Sequence, residues 1–102
     1  SHWVARDQLK LFGAAPTDER VVRDGDIITG AGVSAGLDMA LSVVEALRGR
    51  TYAQALMLQA EYAPAPPFPG GRPETTDPAV AAALRSMLAP LVTGIETIAK
   101  RA

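Results

Sequence analysis

The chain has 102 residues, of which 48% are hydrophobic and 21% are charged, and its ten basic and eleven acidic side chains leave a formal charge of -1. This length supports one core at most, and without a basic stripe we expect no nucleic-acid partner. No uninterrupted apolar run approaches roughly 18 residues, so we expect no membrane span or membrane partner. With no cysteine and one histidine, the chain offers no disulfide, thiolate nucleophile or metal site, and we expect no cofactor and a cytoplasmic location.

The first predicted elements are a short helix and a β-hairpin. The opening Ser1–Val4 suits the end of a strand, and Asp7 stands in the first turn of a short helix that Gly13 ends. The β-rich runs at 20–22 and 27–29 are separated by an Asp-Gly pair, which is a strong signal for a tight turn. These two runs are therefore predicted to pair as a hairpin.

A longer helix is predicted after the hairpin, with Ser34 as its cap and Arg48 near its end. Asp38, Ser42 and Glu45 form one narrow polar face, and apolar side chains cover most of the remaining circumference. Such a helix needs cover on more than one side. We therefore expect a sheet to pack against it that these residues do not supply.

The remaining chain predicts two helices joined by a proline-rich arm. A capping-box pattern at Thr51–Gln54 predicts a helix that runs to Glu61 or Tyr62. Residues 63–78 hold six prolines, so we expect a stiff, extended arm. An Asp-Pro pair then begins a terminal helix at 78–101 with one apolar stripe, which Pro90 is expected to kink.

Two interpretations of the aromatic and proline-rich segment Tyr62–Phe68 remain open. It could serve as a polyproline ligand for a small recognition domain. The favoured interpretation is an arm that packs on its own fold or on a second copy of the chain, burying Tyr62 and Phe68.

The residues Gly32–Gly36 match the G-x-S-x-G pattern of a nucleophile elbow between a strand and a helix. A serine hydrolase also needs a histidine and an acid, and the one histidine, His2, precedes Ser34 in an order that α/β-hydrolases do not use. The favoured interpretation is that Ser34 caps the helix while the glycines allow the backbone to approach another group closely.

His2 and Trp3 are the other candidates for chemistry. His2 could act as a general base at the end of a strand, although a lone histidine is more often structural. The carboxylates that flank the proline-rich stretch, Glu61, Glu74 and Asp77, are interpreted as solvated or capping groups, and no pair among them has metal-site spacing.

The order of four features resembles the DJ-1/PfpI superfamily, in particular its isonitrile hydratase-like branch, over essentially the whole chain. Each feature is loose alone, but the same order and spacing of all four is hard to obtain by chance. The features are the Ser-His-Trp tip, the hairpin at Asp18–Thr29, the glycine-rich link at Gly30–Asp38, and the segment Leu58–Phe68.

This resemblance implies a flavodoxin-like α/β sandwich of which the chain, as one domain segment 1–102, is the carboxy-terminal half, a β-hairpin plus helices. The partners implied are the missing amino-terminal half, which would carry the nucleophilic cysteine, a small-molecule substrate, and a second copy in a homodimer. The implied reaction adds water to an isocyanide and gives an N-substituted formamide. The pocket rim implied in this chain consists of His2, Trp3, Gly30, Gly32, Val33 and Ser34.

Two other functions fit the same resemblance. The fold also serves as the ligand-sensing domain of some transcription regulators, and some members of the superfamily are chaperone-like proteins without turnover. The chain shows no helix-turn-helix module after the terminal helix, which favours the enzyme. We expect the complete protein to be an enzyme and this chain alone to be inactive.

Overall fold

The computed structural model describes all 102 residues. They form two compact units, one made of Ser1–Asp18 with Phe68–Ala102 and the other of Glu19–Pro67. The elements are a 3₁₀ helix (Arg6–Phe12), strands β1 (Val21–Asp24) and β2 (Ile27–Gly30), helices α1 (Ala35–Arg48) and α2 (Arg50–Gln59), a short 3₁₀ turn (Pro73–Thr75) and helix α3 (Pro78–Arg101).

The hairpin prediction is confirmed, and β1 extends two residues closer to the turn than expected while β2 begins at Ile27 as predicted. Strands β1 and β2 pair antiparallel from Val21 opposite Gly30 to Asp24 opposite Ile27, which leaves a two-residue loop. Its first residue, Gly25, has φ 59°, and a glycine is favoured at this position of a type II′ turn.

Helix α1 begins and ends where the sequence predicts, but its start is not capped by the Ser34 side chain. Ser34 has φ -71° and ψ -21°, already helical, and its hydroxyl accepts no backbone N–H. Side-chain caps require an extended backbone at that position. The first turn is closed instead by a hydrogen bond of 3.1 Å from the Ala35 N–H to the Gly32 carbonyl.

Helices α1 and α2 are separated by a single residue, Gly49, with φ 86° and ψ 165°. That conformation is essentially restricted to glycine, and it lets α2 begin at Arg50. Thr51 therefore lies inside the helix, and the capping box predicted at Thr51–Gln54 is wrong. The Arg50 guanidinium pairs with the Glu45 carboxylate across the junction at 2.8 Å.

In the other unit, the strand end predicted at Ser1–Val4 is wrong, because the Ala5 N–H donates to the His2 carbonyl at 3.1 Å and makes a turn. The helix that follows is 3₁₀ rather than α. It ends at Gly13, as predicted, with φ 80°.

Helix α3 has the predicted start, because the Asp77 carboxylate accepts the Ala79 N–H at 2.8 Å and Pro78 is the first helical residue. The helix continues through Pro90 to Arg101. It is also long and apolar enough to cross a bilayer, with a mean hydropathy of 1.4 over an 18-residue window. Core helices of soluble proteins meet the same criterion, so this is weak support for a span, and the expectation of no membrane partner stays a prediction.

The buried hydrophobic residues are three alanines, Ala35, Ala53 and Ala81. No large side chain is completely buried, and Leu37 and Leu47 on α1 are 58% and 76% exposed. Part of the apolar surface of α1 is thus uncovered within these residues. Phe68 is 74% exposed as well, so it is not buried against these residues, and its burial against a second copy stays a prediction.

Candidate functional site

A cluster of polar side chains joins separate parts of the unit Glu19–Pro67. We call it the Asp38 cluster, and it consists of Arg20, Ser34, Asp38 and Tyr62. One carboxylate oxygen of Asp38 accepts the Tyr62 hydroxyl, and the other accepts Arg20 Nε. Arg20 Nη2 donates in addition to the Ser34 hydroxyl at 3.2 Å. The residue before β1, the start of α1 and the end of α2 are therefore tied together by side chains.

The groups of the Asp38 cluster shift one another's pKa values in the directions that stabilise their hydrogen bonds. The hydrogen bond from Tyr62 and then the hydrogen bond from Arg20 lower the pKa of Asp38. The same carboxylate raises the pKa of the Tyr62 hydroxyl and that of the Arg20 guanidinium. An acid–base catalyst works best with a pKa near the operating pH, and these shifts run away from neutrality. The cluster is therefore suited to holding structure rather than to moving protons.

Tyr62 reaches Asp38 because of the way in which α2 ends. The Tyr62 N–H donates to the Met57 carbonyl at 2.9 Å and the Glu61 N–H to the Leu58 carbonyl at 3.1 Å, which is a Schellman motif. Glu61 occupies its left-handed position with φ 49°, where glycine is usual. A side chain in this conformation costs roughly 1–2 kcal/mol, and the turn it makes brings Tyr62 back onto α1.

The Gly30–Ser34 link runs from the last residue of β2 to the start of α1, at the positively charged end of the helix dipole. The backbone N–H groups of Gly32, Val33 and Ser34 donate no hydrogen bond within the chain, and the Val33 side chain is 99% exposed. Successive free N–H groups at a helix start favour a negative charge placed against them.

The structure brings four of the predicted pocket residues together, because Gly30, Gly32, Val33 and Ser34 all belong to this link. Gly30 also lies close to α1, since a Cβ at this residue would be 3.6 Å from Met39 Sδ. Their contact with a substrate stays a prediction.

The two other predicted pocket residues, His2 and Trp3, belong to the unit that contains α3. Their rings are tilted by 32° with centroids 5.6 Å apart. His2 Nδ1 accepts the Val4 N–H at 3.3 Å, which leaves Nε2 without a partner. The Nε2 atom is thus the one available to a ligand.

Trp3 also lines a groove of about 510 Å³ in the same unit. The Arg85 guanidinium carbon is 5.3 Å from the centre of the Trp3 ring, a cation–π contact. Gln8 contributes a buried Oε1 that has no hydrogen-bond partner. The groove therefore combines an aromatic wall with polar groups, as small-molecule sites do.

Exposed ion pairs flank this groove, and we call them the Asp18 pairs. One Asp18 oxygen accepts from Arg6 at 2.6 Å and from Arg72 at 2.9 Å, and Arg72 also reaches Glu74 at 3.3 Å. The hydrogen bond from Arg72 lowers the pKa of Glu74. No group of three or more His, Cys, Asp or Glu side chains is placed to hold a metal ion.

Sequence reasoning noted Asp38 as part of a polar face but missed its partners Arg20 and Tyr62. A carboxylate on an otherwise apolar helix is a signal for a hydrogen-bonding partner, since a buried charge must be paired. Nothing local in the sequence indicates which residue that partner is.

Comparison with known proteins finds similarity to part of larger proteins, although no protein-family model matches the chain. The isonitrile hydratase of Pseudomonas putida is 48% identical over 90 residues, which are 88% of this chain and 40% of that protein. The crystal structure of a THiJ/PfpI family protein from Pseudomonas syringae matches with a TM-score of 0.93 and 47% identity, over 97% of this chain and 41% of that one.

The chain therefore spans about two fifths of the length of these relatives. The structural match confirms the predicted fold class, since the hairpin and the helices correspond to part of that α/β protein.

Proposed function

We propose that this chain, which belongs to the isonitrile hydratase-like branch of the DJ-1/PfpI superfamily, forms the carboxy-terminal part of an enzyme that adds water to an isocyanide. The observation that carries the proposal is the similarity to isonitrile hydratase along nearly the whole chain. Because the chain spans only part of that relative and contains no cysteine, the nucleophile would come from a segment outside these residues.

The reaction that we propose proceeds through a covalent adduct on the cysteine. The thiolate forms a bond to the terminal carbon of the isocyanide, and that carbon takes up one proton to give a thioimidate. Water then adds to the same carbon while the nitrogen is protonated. Cleavage of the carbon–sulfur bond and loss of the hydroxyl proton release the N-substituted formamide and restore the thiolate.

The Gly30–Ser34 link would contribute electrostatic stabilisation to this reaction. Its three free N–H groups lie at the start of α1, where a thiolate or a negatively charged adduct gains from backbone donors and from the helix dipole. Glycine at positions 30 and 32 would allow the backbone to approach the sulfur closely. On this proposal a side chain at Gly32 displaces the link from the thiol.

His2 and Trp3 would each contribute to substrate binding. Hydrogen bonding at Nδ1 leaves His2 Nε2 free to exchange a proton with the substrate. The indole of Trp3 offers an apolar wall for the organic substituent of a small isocyanide.

The test is to incubate the natural full-length protein with an alkyl isocyanide and to measure N-alkyl formamide by mass spectrometry. We expect formamide in excess of the protein and no formamide after the protein is pretreated with iodoacetamide, which blocks the thiol. The 102-residue chain on its own should be silent. An untreated, folded full-length protein that forms no formamide would refute the proposal, and binding of the isocyanide without turnover would favour a ligand-sensing role.

A further inference from the structure

We propose that Arg20, Asp38 and Tyr62 are positioning residues that hold the Gly30–Ser34 link in the shape its pocket role requires. The catalytic part of this inference rests on the proposed function, whereas the mechanical part rests on contacts within the unit Glu19–Pro67. These three residues would act through the link and need not touch the substrate.

Arg20 holds the link at both of its ends. At one end its backbone carbonyl accepts the Ala31 N–H at 2.9 Å, which continues the hydrogen bonding of the hairpin. At the other end its guanidinium donates to the Ser34 hydroxyl at 3.2 Å. The two residues between, Gly32 and Val33, therefore lie in a segment whose ends are fixed by one arginine.

Asp38 fixes the direction in which the Arg20 side chain points. It accepts Arg20 Nε, so the planar guanidinium presents Nη2 to Ser34. Charge-assisted hydrogen bonds of this kind are roughly twice as strong as neutral ones. A lysine at position 20 would keep the charge but would lose the fork that reaches both Asp38 and Ser34.

Tyr62 in turn fixes the second oxygen of Asp38, and its own place is set by the backbone. The Schellman motif at the end of α2 places Glu61 in the left-handed region. A strained conformation of this kind persists only where surrounding contacts hold it. The support therefore passes from the end of α2 through Tyr62, Asp38 and Arg20 to the link.

Tyr62→Phe is the sharpest variant, because it removes one hydroxyl and keeps the ring. Tyr52→Phe is the matched control on α2: the Tyr52 ring lies against Arg48 at 4.3 Å, and its hydroxyl has no hydrogen-bond partner in the unit. The first readout is amide hydrogen exchange of a peptide covering 30–37 in the natural full-length protein. We expect exchange of its hydrogen-bonded amides, those of Ala31 and Ala35–Leu37, to rise at least about tenfold in Tyr62→Phe and to stay at the wild-type rate in Tyr52→Phe.

The second readout is the kinetics of isocyanide hydration. We expect kcat to fall between about tenfold and a hundredfold in Tyr62→Phe with KM within about twofold, since a misplaced link weakens the transition state more than substrate binding. Asp38→Asn should lower kcat in the same way. The double variant Asp38→Asn/Tyr62→Phe should have a kcat no lower than that of Asp38→Asn alone, because the three residues act in series. Arg20→Lys keeps the positive charge but should not keep the wild-type kcat.

An exchange rate in Tyr62→Phe equal to that in Tyr52→Phe would overturn the inference whatever the activity. Faster exchange with an unchanged kcat in an active protein would overturn it as well. Failure of the wild-type protein to hydrate isocyanides would remove the proposed function instead, and the exchange comparison would still decide whether these residues hold the link.

Discussion

The two units of the chain use the same chemistry, arginine paired with aspartate, for different purposes. In the unit Glu19–Pro67, Asp38 accepts from Arg20 and Tyr62, and its side chain is only 31% exposed. In the other unit Asp18 accepts from two arginines but is 50% exposed. Exposed pairs contribute little, typically about 0–1 kcal/mol, while partly buried directional bonds fix geometry. Arg20 is itself 51% exposed and Arg6 only 25%, so the additional hydrogen bond from Tyr62, rather than burial of the ion pair, distinguishes the Asp38 cluster from the surface ion pairs.

The two units also end a helix in the same way with different residues. Gly13 and Glu61 both occupy the left-handed position of a Schellman motif, with φ 80° and 49°. One unit places glycine there at no cost in strain, and the other places a glutamate immediately before Tyr62. The strain thus lies in the unit that carries the Asp38 cluster.

The largest effect on stability is expected from Gly49→Ala, which tests how far the Asp38 cluster depends on the junction between α1 and α2. Gly49 has φ 86° and ψ 165°, and a Cβ there would meet no atom within 4 Å, so the cost comes from the backbone alone. We expect the free energy of unfolding to fall by about 1–3 kcal/mol, measured by urea denaturation.

Gly36→Ala on α1 is the control for this variant, because that glycine is helical and also has open space around it. It should leave stability unchanged or raise it by up to about 1 kcal/mol. Equal stability of the two variants would show that α2 can adjust its start without the glycine conformation.

The next effect compares Asp38→Asn with Asp18→Asn. At pH 7 we expect Asp38→Asn to cost about 1–2 kcal/mol of unfolding free energy, a figure that allows for its partial exposure, because it weakens two charged hydrogen bonds. Asp18→Asn should cost less than about 0.5 kcal/mol, since its pairs are exposed. Similar losses would mean that the Asp38 cluster is no more than another set of surface pairs.

The stabilisation that Asp38 provides should also depend on pH, in a direction that its pKa shift predicts. The hydrogen bonds of Tyr62 and Arg20 lower the folded-state pKa of Asp38 below its ordinary value of 3.8. Its stabilisation is therefore present above about pH 4 and is lost as the pH falls through the folded-state pKa. The pKa of Glu74 is lowered as well. Glu74 is present in both the wild type and the Asp38→Asn variant, so its contribution cancels in the difference between them. The difference between wild type and Asp38→Asn, followed by thermal unfolding, should shrink below pH 4.

The elements that the sequence predicts well are those with local signals. The Asp-Gly pair indicates the hairpin turn, and Asp77 with Pro78 indicates the start of α3, because each signal acts through backbone bonds within a few residues. Ser34 and Thr51 also carry a capping signal, yet neither caps a helix. At Ser34 the hydroxyl accepts from Arg20 instead, a tertiary contact that local pattern cannot contain.

The site shows the same division between local and distant information. The glycine-rich link is visible in the sequence because its residues are consecutive, and its role in a site stays a prediction. The partners of Asp38 could not be found in this way, because Arg20 and Tyr62 lie 18 and 24 positions away and meet it only after the hairpin and α2 are in place. The prediction of a strand end at His2 and Trp3 was wrong because the His2 carbonyl accepts the Ala5 N–H, which makes a turn.

The smallest effect is expected from a reciprocal exchange at the two left-handed helix ends. Glu61→Gly should raise the free energy of unfolding by about 0.5–1 kcal/mol, because glycine adopts φ 49° without strain. Gly13→Ala should lower it by about the same amount, and a Cβ at Gly13 would meet nothing within 4 Å, so the loss reports backbone strain alone. Urea denaturation of each variant and of the wild type measures both changes in the free energy of unfolding. If Glu61→Gly gains no stability while Gly13→Ala loses it, contacts of the glutamate offset its strain, and the turn before Tyr62 is held by more than its backbone.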